Sequence, residues 1–139
     1  MSLAHAIIYS DGGARGNPGP AAFAYVLCDA KGEIHHEHAE KIGQTTNNVA
    51  EYSGVIHALA AAAKLGVKTV DYYTDSELVQ RQLTGVYRVK TPHIQDLFRK
   101  VLEHQKKFEK ISYRHVPRTH EKIRYVDGLV NRVLDGLYD

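Results

Sequence analysis

The first third of the chain carries apolar and polar positions that predict a three-stranded antiparallel meander. Leu3–Tyr9 is an apolar run typical of a buried strand, and this run stops at Asp11. A loop rich in glycine and proline over residues 12–20 separates it from a second predicted strand, Ala21–Cys28. Turn-forming residues come next, and Glu33–Ile42 is expected to return as the third strand.

From about position 47 onward, the apolar positions take helical and strand-like spacings in turn. Stretches with apolar side chains at three- and four-residue intervals predict helices, because these positions share one helix face. Shorter apolar runs between them are typical of buried strands. The predicted elements are a helix over Asn47–Leu65, a strand over Val67–Tyr73, a short helix over Ser76–Leu83, a helix over Pro92–Phe108 and a strand over Lys110–Val116.

The end of the chain also follows a three-four spacing, which predicts a final amphipathic helix. Its apolar positions are Ile123, Val126, Val130, Val133 and Leu137. The strand–helix–strand units of the second half imply parallel neighbouring strands joined by right-handed crossovers. We therefore expect an α/β sheet of mixed direction, formed by a single domain over residues 1–139.

Composition and charge change this picture little. The formal net charge is +2, which neither requires nor excludes a nucleic-acid partner, since a local basic patch matters more than the sum. The single cysteine, Cys28, cannot form an internal disulfide and is expected to be a small buried side chain. No targeting segment or membrane-spanning run is visible, so we expect a soluble cytoplasmic protein, and a monomer.

Four acidic residues stand where the predicted elements would bring them together. Asp11 follows the first strand and Asp75 follows the fourth, and the carboxyl ends of parallel neighbours meet at one edge of a sheet. Glu51 lies in the first turns of the intervening helix, and Asp127 lies early in the last one. Like charges at such distances are costly unless a proton or a cation neutralises them. Carboxylate oxygens suit Mg²⁺ or Mn²⁺ better than zinc.

Each acid also has a purely structural interpretation. Asp11 can form a turn with the glycines after it. Glu51 stands three residues after Asn48, the spacing of a capping box. Asp75 can cap the short helix, and Asp127 can be a solvated helix residue. The hypothesis of a metal site therefore depends on the four acids together.

Four motifs containing these acids resemble those of the type 1 ribonuclease H family, in that family's order. They are Asp11–Pro20 (DGGARGNPGP), Thr45–Glu51 (TTNNVAE), Thr74–Ser76 (TDS) and Val126–Asn131 (VDGLVN). The resemblance runs along the whole chain. The first two motifs, at full length and in order, are the most specific to the family.

The resemblance implies a ribonuclease H-like fold and a hydrolase. The fold is a five-stranded mixed sheet, with three antiparallel strands followed by two parallel ones and helices on both faces. The implied substrate is an RNA/DNA hybrid, whose RNA strand is cut to leave 5′-phosphate and 3′-hydroxyl ends. Asp11, Glu51, Asp75 and Asp127 are the implied catalytic ligands of two Mg²⁺ or Mn²⁺ ions.

The same resemblance implies a set of substrate-binding residues around the acids. They are Gly12, Gly13, Arg15, Asn17, Thr46, Asn47, Asn48 and Ser76. Asn48 resembles an asparagine that contacts the hybrid, and Thr46 resembles a residue that helps to bind a phosphate of the DNA strand. Structural roles are compatible with these: turn stabilisation for Asn17 and helix capping for Thr46 and Asn48.

The chain departs from the family pattern in two places. Many relatives carry a basic helix with tryptophan after the third motif, whereas here only residues 84–91 join the two middle helices and the chain has no tryptophan. The chain therefore resembles the short bacterial and archaeal form of the family, without that helix. Arg88 and Lys90 can replace it in part, although solvated surface charge explains each of them better. Some relatives place a catalytic histidine before the final aspartate. His120 is the nearest candidate, and His115 is expected in the fifth strand.

Other interpretations stay open at this point. The chain can be a hybrid-binding module without catalysis, a different nuclease on the same fold such as a junction resolvase, or a domain of a larger protein. His35, His36 and His38 can bind zinc or nickel, although a polar outer face of the meander explains them better.

Overall fold

The protein is described by a computed structural model over residues 3–138. The strands are β1 (His5–Ala14), β2 (Gly19–Cys28), β3 (Ile34–Thr45), β4 (Thr69–Thr74) and β5 (Lys110–His115). The helices are α1 (Asn47–Lys64), α2 (Glu77–Leu83), α3 (Pro92–Gln105) and α4 (Glu121–Leu134). None of these helices, in the part of the chain that the structure describes, is long and apolar enough to cross a membrane.

The strands form one five-stranded sheet in the order β3-β2-β1-β4-β5. Strand β2 pairs antiparallel with β1 and β3, whereas β4 pairs in parallel with β1 and β5. The predicted mixed sheet is therefore confirmed. The strand order reverses between β1 and β4, and this point matters for function because ligands bind beyond the carboxyl ends of parallel strands where the order reverses.

Helices cover both faces of the sheet, as expected. On one face, α1 and α3 pack over a core that includes Ile8, Phe23 and Leu59. On the other face, α4 packs over β1, β2 and β3, where its Val126 contacts a cluster that contains Cys28. Cys28 is fully buried, so its expected role as a small core residue is confirmed.

The first strand is longer than its apolar run suggested. It continues through Asp11, Gly12 and Gly13, which pair with β2 up to Ala14. The expectation that the strand stops at Asp11 and that a loop begins there was wrong. Backbone pairing with β2 holds this extension, and pairing of that kind needs no apolar side chains.

Several other ends differ from the predicted ones. Strand β3 runs on to Thr45, past Ile42, because it stays paired with β2. Helix α3 ends at Gln105, so Phe108 lies in the link to β5 and still joins the core. Helix α4 ends at Leu134, because Gly136 takes a positive φ of 76°, a conformation that ends helices. Leu137 is therefore outside the helix and 64% exposed, so its predicted place in the apolar stripe was wrong.

Candidate active site

Two aspartates lie side by side where the parallel pairing of β1 and β4 ends. The last paired residues are Ser10 and Thr74, and Asp11 and Asp75 are the next residue on each strand. Both carboxylates are largely buried, with Asp11 only 8% exposed and the Asp75 side chain 10% exposed. The expected juxtaposition of the two acids is present, although Asp11 belongs to the strand itself.

Glu51 reaches these aspartates because α1 packs directly against Gly12. A Cβ atom at Gly12 would lie 2.3 Å from the carbonyl carbon of Ala50 and 2.6 Å from the Glu51 nitrogen, so only glycine fits. Carboxylate oxygens of Asp11, Glu51 and Asp75 all lie within 4.8 Å of one another. These three groups form the acidic cluster.

The structural alternatives for two of these acids do not hold. The cap of α1 is Thr46, whose hydroxyl accepts a hydrogen bond from the Val49 backbone, so Glu51 is not in a capping box with Asn48. The cap of α2 is Ser76 and not Asp75. The side chains of both acids are therefore free to face the cleft.

Asp127 approaches the acidic cluster from α4. Its carboxylate is near enough to that of Asp11 to help raise the Asp11 pKa, and it lines the same cleft. Asn131, one turn further along α4, donates to the Asp127 backbone carbonyl at 3.2 Å. Asp127 is exposed, whereas its neighbour Val126 in the apolar stripe of α4 is fully buried.

The acids disfavour one another's charge. Burial, followed by the charges of Asp75 and Asp127, raises the pKa of Asp11 to about 8. Burial, followed by the charges of Asp11 and Asp75, raises the pKa of Glu51 well above its usual range. The pKa of Asp75 is raised by burial, and nearby Arg118 opposes that shift. Without a cation, the native cluster therefore retains protons at neutral pH.

This donor set fits a hard divalent cation. All of its ligand atoms are carboxylate oxygens, which Mg²⁺ and Mn²⁺ prefer, and neither histidine nor cysteine belongs to the cluster. The buried negative charge is what such a cation would neutralise. Asp11, Glu51 and Asp75 would bind it, with Asp127 adding a ligand from α4.

The acidic cluster lies at the bottom of a cleft of about 520 Å³. Of the residues predicted to bind substrate, those that line this cleft are Gly12, Gly13, Arg15, Asn17, Asn47, Asn48 and Ser76. Thr46 is not among the lining residues, because its side chain caps α1. The structure therefore brings almost all of the predicted set to one surface.

Two asparagines connect the β1–β2 loop to the start of α1. The Oδ1 atom of Asn47 accepts from the Ala14 nitrogen at 2.8 Å, and the Oδ1 atom of Asn17 accepts from the Asn47 nitrogen at 2.9 Å. Their side-chain amide nitrogens make no hydrogen bond to the residues that the structure describes. Each asparagine thus holds the rim of the cleft with its oxygen and keeps an amide donor for a ligand.

Arg118 is a cleft residue that the sequence reasoning missed. Its Nε lies 3.6 Å from Asp75 Oδ2, and its side chain is 88% exposed. It belongs to the link between β5 and α4, the same link in which a histidine was expected. A search of this link for any cationic side chain, rather than for histidine alone, would have found Arg118.

His120 lies at the end of that link but is not among the residues that line the cleft. It caps α4 by accepting a hydrogen bond from the Lys122 nitrogen, and its ring stacks on that of Tyr9 at 5.1 Å. His115 is closer to the acids, since its Nε2 donates to the Asp75 backbone carbonyl at 3.2 Å. A catalytic role of His120 stays a prediction.

The three histidines of the meander, His35, His36 and His38, have different neighbours. His35, near the start of β3, pairs with Asp29 at 2.8 Å, and these two lie close enough to Glu33 of the β2–β3 turn to hold an ion. His36 and His38 share one strand face, and both pack against Tyr25. His38 also pairs with Glu40 at 2.8 Å, so the expected polar surface describes His38 as well as His35.

The link between α2 and α3 contains no helix, so the missing basic helix is confirmed. Arg88 and Lys90 are both exposed in this link. Arg81, in the last turn of α2, lies over the ring of Tyr87 at 5.4 Å.

Comparisons with known proteins agree with this geometry. A family model described as reverse transcriptase-like matches residues 9–133. Ribonuclease HI of Halobacterium salinarum is 42% identical over 91% of this chain and 63% of its own length. A bifunctional protein of Mycobacterium tuberculosis is 39% identical over 94% of this chain and 35% of its own. The chain thus spans less than two thirds of each of these relatives.

Solved structures show the same fold. The crystal structure of the Halobacterium salinarum ribonuclease H1 matches with a TM-score of 0.90 at 39% identity, over 95% of this chain and 98% of that one. LC11 ribonuclease H1, from a compost metagenome, was solved in complex with an RNA/DNA hybrid. It matches with a TM-score of 0.88 at 43% identity, over 94% of this chain and 97% of that one.

Proposed function

The chain belongs to the type 1 ribonuclease H family, and on that premise we propose that it is an endonuclease that hydrolyses the RNA strand of RNA/DNA hybrids. The observation that carries the proposal is the acidic cluster. Three carboxylates from β1, α1 and β4 share a space within 4.8 Å at the bottom of an open cleft. Such an arrangement is costly to fold and is expected where a phosphodiester is cut with divalent cations.

We propose that Asp11, Glu51, Asp75 and Asp127 together hold two Mg²⁺ or Mn²⁺ ions. When bound, these ions would activate water and neutralise the charge that develops on the leaving oxygen, so that the products carry 5′-phosphate and 3′-hydroxyl ends. The chain's own part is to hold the four carboxylates in place for these ions. The rigid strand ends do this for Asp11 and Asp75, and the contact of α1 with Gly12 does it for Glu51.

Substrate recognition falls to the rim of the cleft. The unpaired amide donors of Asn17 and Asn47 face a surface shared with Asn48 and Gly13. Glycine lets a nucleic-acid strand approach the backbone closely. Hydrogen bonds to 2′-hydroxyl groups are what separate RNA from DNA at one site. We propose that this rim binds the RNA strand of an RNA/DNA hybrid. The complex of LC11 ribonuclease H1 with such a hybrid supports this substrate class.

Arg118 supplies the positive charge nearest to the acids. Its guanidinium is exposed and paired only loosely with Asp75, so it can turn to a phosphate oxygen of the bound strand. In that position it would favour the charge that develops on the phosphate during hydrolysis.

The decisive experiment is cleavage of an end-labelled RNA/DNA hybrid with Mg²⁺ and with chelator. Single-stranded RNA, duplex RNA, duplex DNA and a four-way junction serve as parallel substrates. We expect metal-dependent cuts in the RNA strand of the hybrid only. Asp11→Asn should abolish the cuts, while Asp96→Asn, an exposed acid of α3, should leave them unchanged. Binding without cleavage, or cleavage of the junction alone, would overturn the proposal.

A further inference from the structure

An arginine of the β1–β2 loop is held against α4 at the rim of the cleft. The Nη1 atom of Arg15 lies 2.6 Å from Asp135 Oδ1. Its Nη2 atom donates to the Asn131 backbone carbonyl at 3.4 Å and approaches Asn131 Oδ1 at 3.5 Å. Three acceptors on one helix thus hold one guanidinium that comes from a different element.

The residues that hold Arg15 continue the cleft wall away from the acidic cluster. Asp127, Asn131 and Asp135 are spaced by four residues and therefore share one face of α4. Asp127 and Asn131 line the cleft together with Arg15, and Asp135 follows at the C-cap of α4. At 1.5 Å per residue, Asp135 is roughly 12 Å along the helix from Asp127.

The electrostatics of this wall favour a cation there. The C-terminal carbonyls of α4 carry partial negative charge, and Asp135 adds a full one. A nucleic-acid strand that passes along this face toward Asp127 would be repelled by both. Arg15 neutralises them, and an arginine has five donors, more than these acceptors use.

We propose that Asp135 is a positioning residue that holds the Arg15 guanidinium on this wall, where it binds a phosphate of the hybrid remote from the scissile one. The inference rests on the proposed hybrid-cleaving function and extends it to a second phosphate contact. Arg118 and Arg15 then flank the acidic cluster, one beside Asp75 just after β4 and the other beside Asp135 at the C-cap of α4.

The test is hybrid binding by Arg15→Ala, Asp135→Asn and the double variant, with Asp11→Asn present in all proteins to prevent cleavage. At low salt, Arg15→Ala should weaken binding about tenfold, as expected for one charge-assisted hydrogen bond. It should also reduce the slope of log K against log salt by about one. Asp135→Asn should weaken binding about threefold. The double variant should match Arg15→Ala alone, because Asp135 acts only through Arg15.

Matched controls come from the exposed pair Arg99–Asp96 on α3, which lies at 2.7 Å and outside the cleft. Arg99→Ala and Asp96→Asn should change neither the affinity nor the salt slope. In proteins that retain Asp11, Arg15→Ala and Asp135→Asn should raise KM by a larger factor than they lower kcat. In the binding assay, Arg15→Lys should keep the salt slope of the protein that has Arg15.

Three results would contradict the inference. Tighter hybrid binding by Asp135→Asn would show that this aspartate competes with the phosphate. If Arg15→Ala and Asp135→Asn both lower the melting temperature and kcat but leave the salt slope unchanged, the pair is only structural. Additive effects in the double variant would show that Asp135 acts apart from Arg15. If the wild-type protein neither binds nor cuts a hybrid, the proposed function itself fails, which is a separate outcome.

Discussion

Asp11→Asn should make the metal-free protein more stable at neutral pH while removing its activity. In the native state, burial and the nearby acids raise the pKa of Asp11 to about 8, whereas an aspartate in an unfolded chain titrates near 3.9. The native protein therefore retains a proton that the unfolded chain releases between these values. Its free energy of unfolding must fall as pH rises through this window, from about pH 4 to about pH 8.

The size of the effect follows from that window. A full proton difference changes the free energy of unfolding by about 1.4 kcal/mol per pH unit, so at most about 4 kcal/mol is lost between pH 4 and 7. Asparagine cannot ionise, but it is still polar and buried, so we expect about half of this to be recovered. At about 3 °C per kcal/mol for a domain of this size, the variant should melt about 6 °C higher at pH 7.

The assay is thermal unfolding of the wild-type protein and Asp11→Asn in chelator, from pH 4.5 to 8.5. The two melting temperatures should be close at pH 4.5 and diverge as pH rises. Added Mg²⁺ should stabilise the wild-type protein and have little effect on the variant, because only the intact cluster binds it well. Asp96→Asn, which replaces an exposed acid, should follow the wild-type curve.

A difference in melting temperature that does not depend on pH would refute this reasoning, because it would have no origin in the titration of Asp11. A variant that is less stable than the wild-type protein at pH 7 in chelator would refute it too. In that case the Asp11 carboxylate would contribute to the fold as a charged group.

Three further changes test other parts of the site. Gly12→Ala should destabilise the protein by about 3 kcal/mol or more, because the new Cβ meets the α1 backbone at 2.3 Å. Gly13→Ala should destabilise it by less than about 1 kcal/mol, because the nearest atom to its Cβ is 3.9 Å away. Chemical denaturation measures both free energies of unfolding. Asp127→Asn should reduce the cleavage rate less than Asp11→Asn does and should recover part of that rate in Mn²⁺, because Asp127 is exposed on a helix. The measurement is the cleavage rate of both variants over a metal titration. Arg118→Ala should lower kcat about tenfold and Arg118→Lys less, measured with saturating hybrid.

The controls for these changes lie within the same comparisons. Equal losses of stability at the two glycines would mean that α1 can shift without cost. If Asp127→Asn cleaves as slowly as Asp11→Asn at every metal concentration, the two acids are equally necessary and the expected difference between them is wrong. An unchanged rate in Arg118→Ala would leave the cationic role to another residue.

Much of this protein could be predicted from local patterns in its sequence. The spacing of apolar positions located the five strands and four helices of residues 3–138, because each period reports which face of an element is buried. It also placed Asp75 at the end of a parallel strand. The motif resemblance located the acids and most of the cleft rim, since those residues lie close together within short segments.

What the tertiary structure alone decided depends on contacts between distant segments. The apolar pattern could not show that β1 extends past Asp11, because backbone pairing with β2 holds that extension. No local pattern shows that Glu51 reaches the other acids because the α1 backbone occupies the space that a side chain at Gly12 would fill. The same is true of Arg118 beside Asp75, which depends on the pairing of β4 with β5, and of Arg15 beside Asp135, which depends on the packing of α4 on the sheet. Periodicity determines which face of an element is buried, but packing determines which residues from different elements meet there.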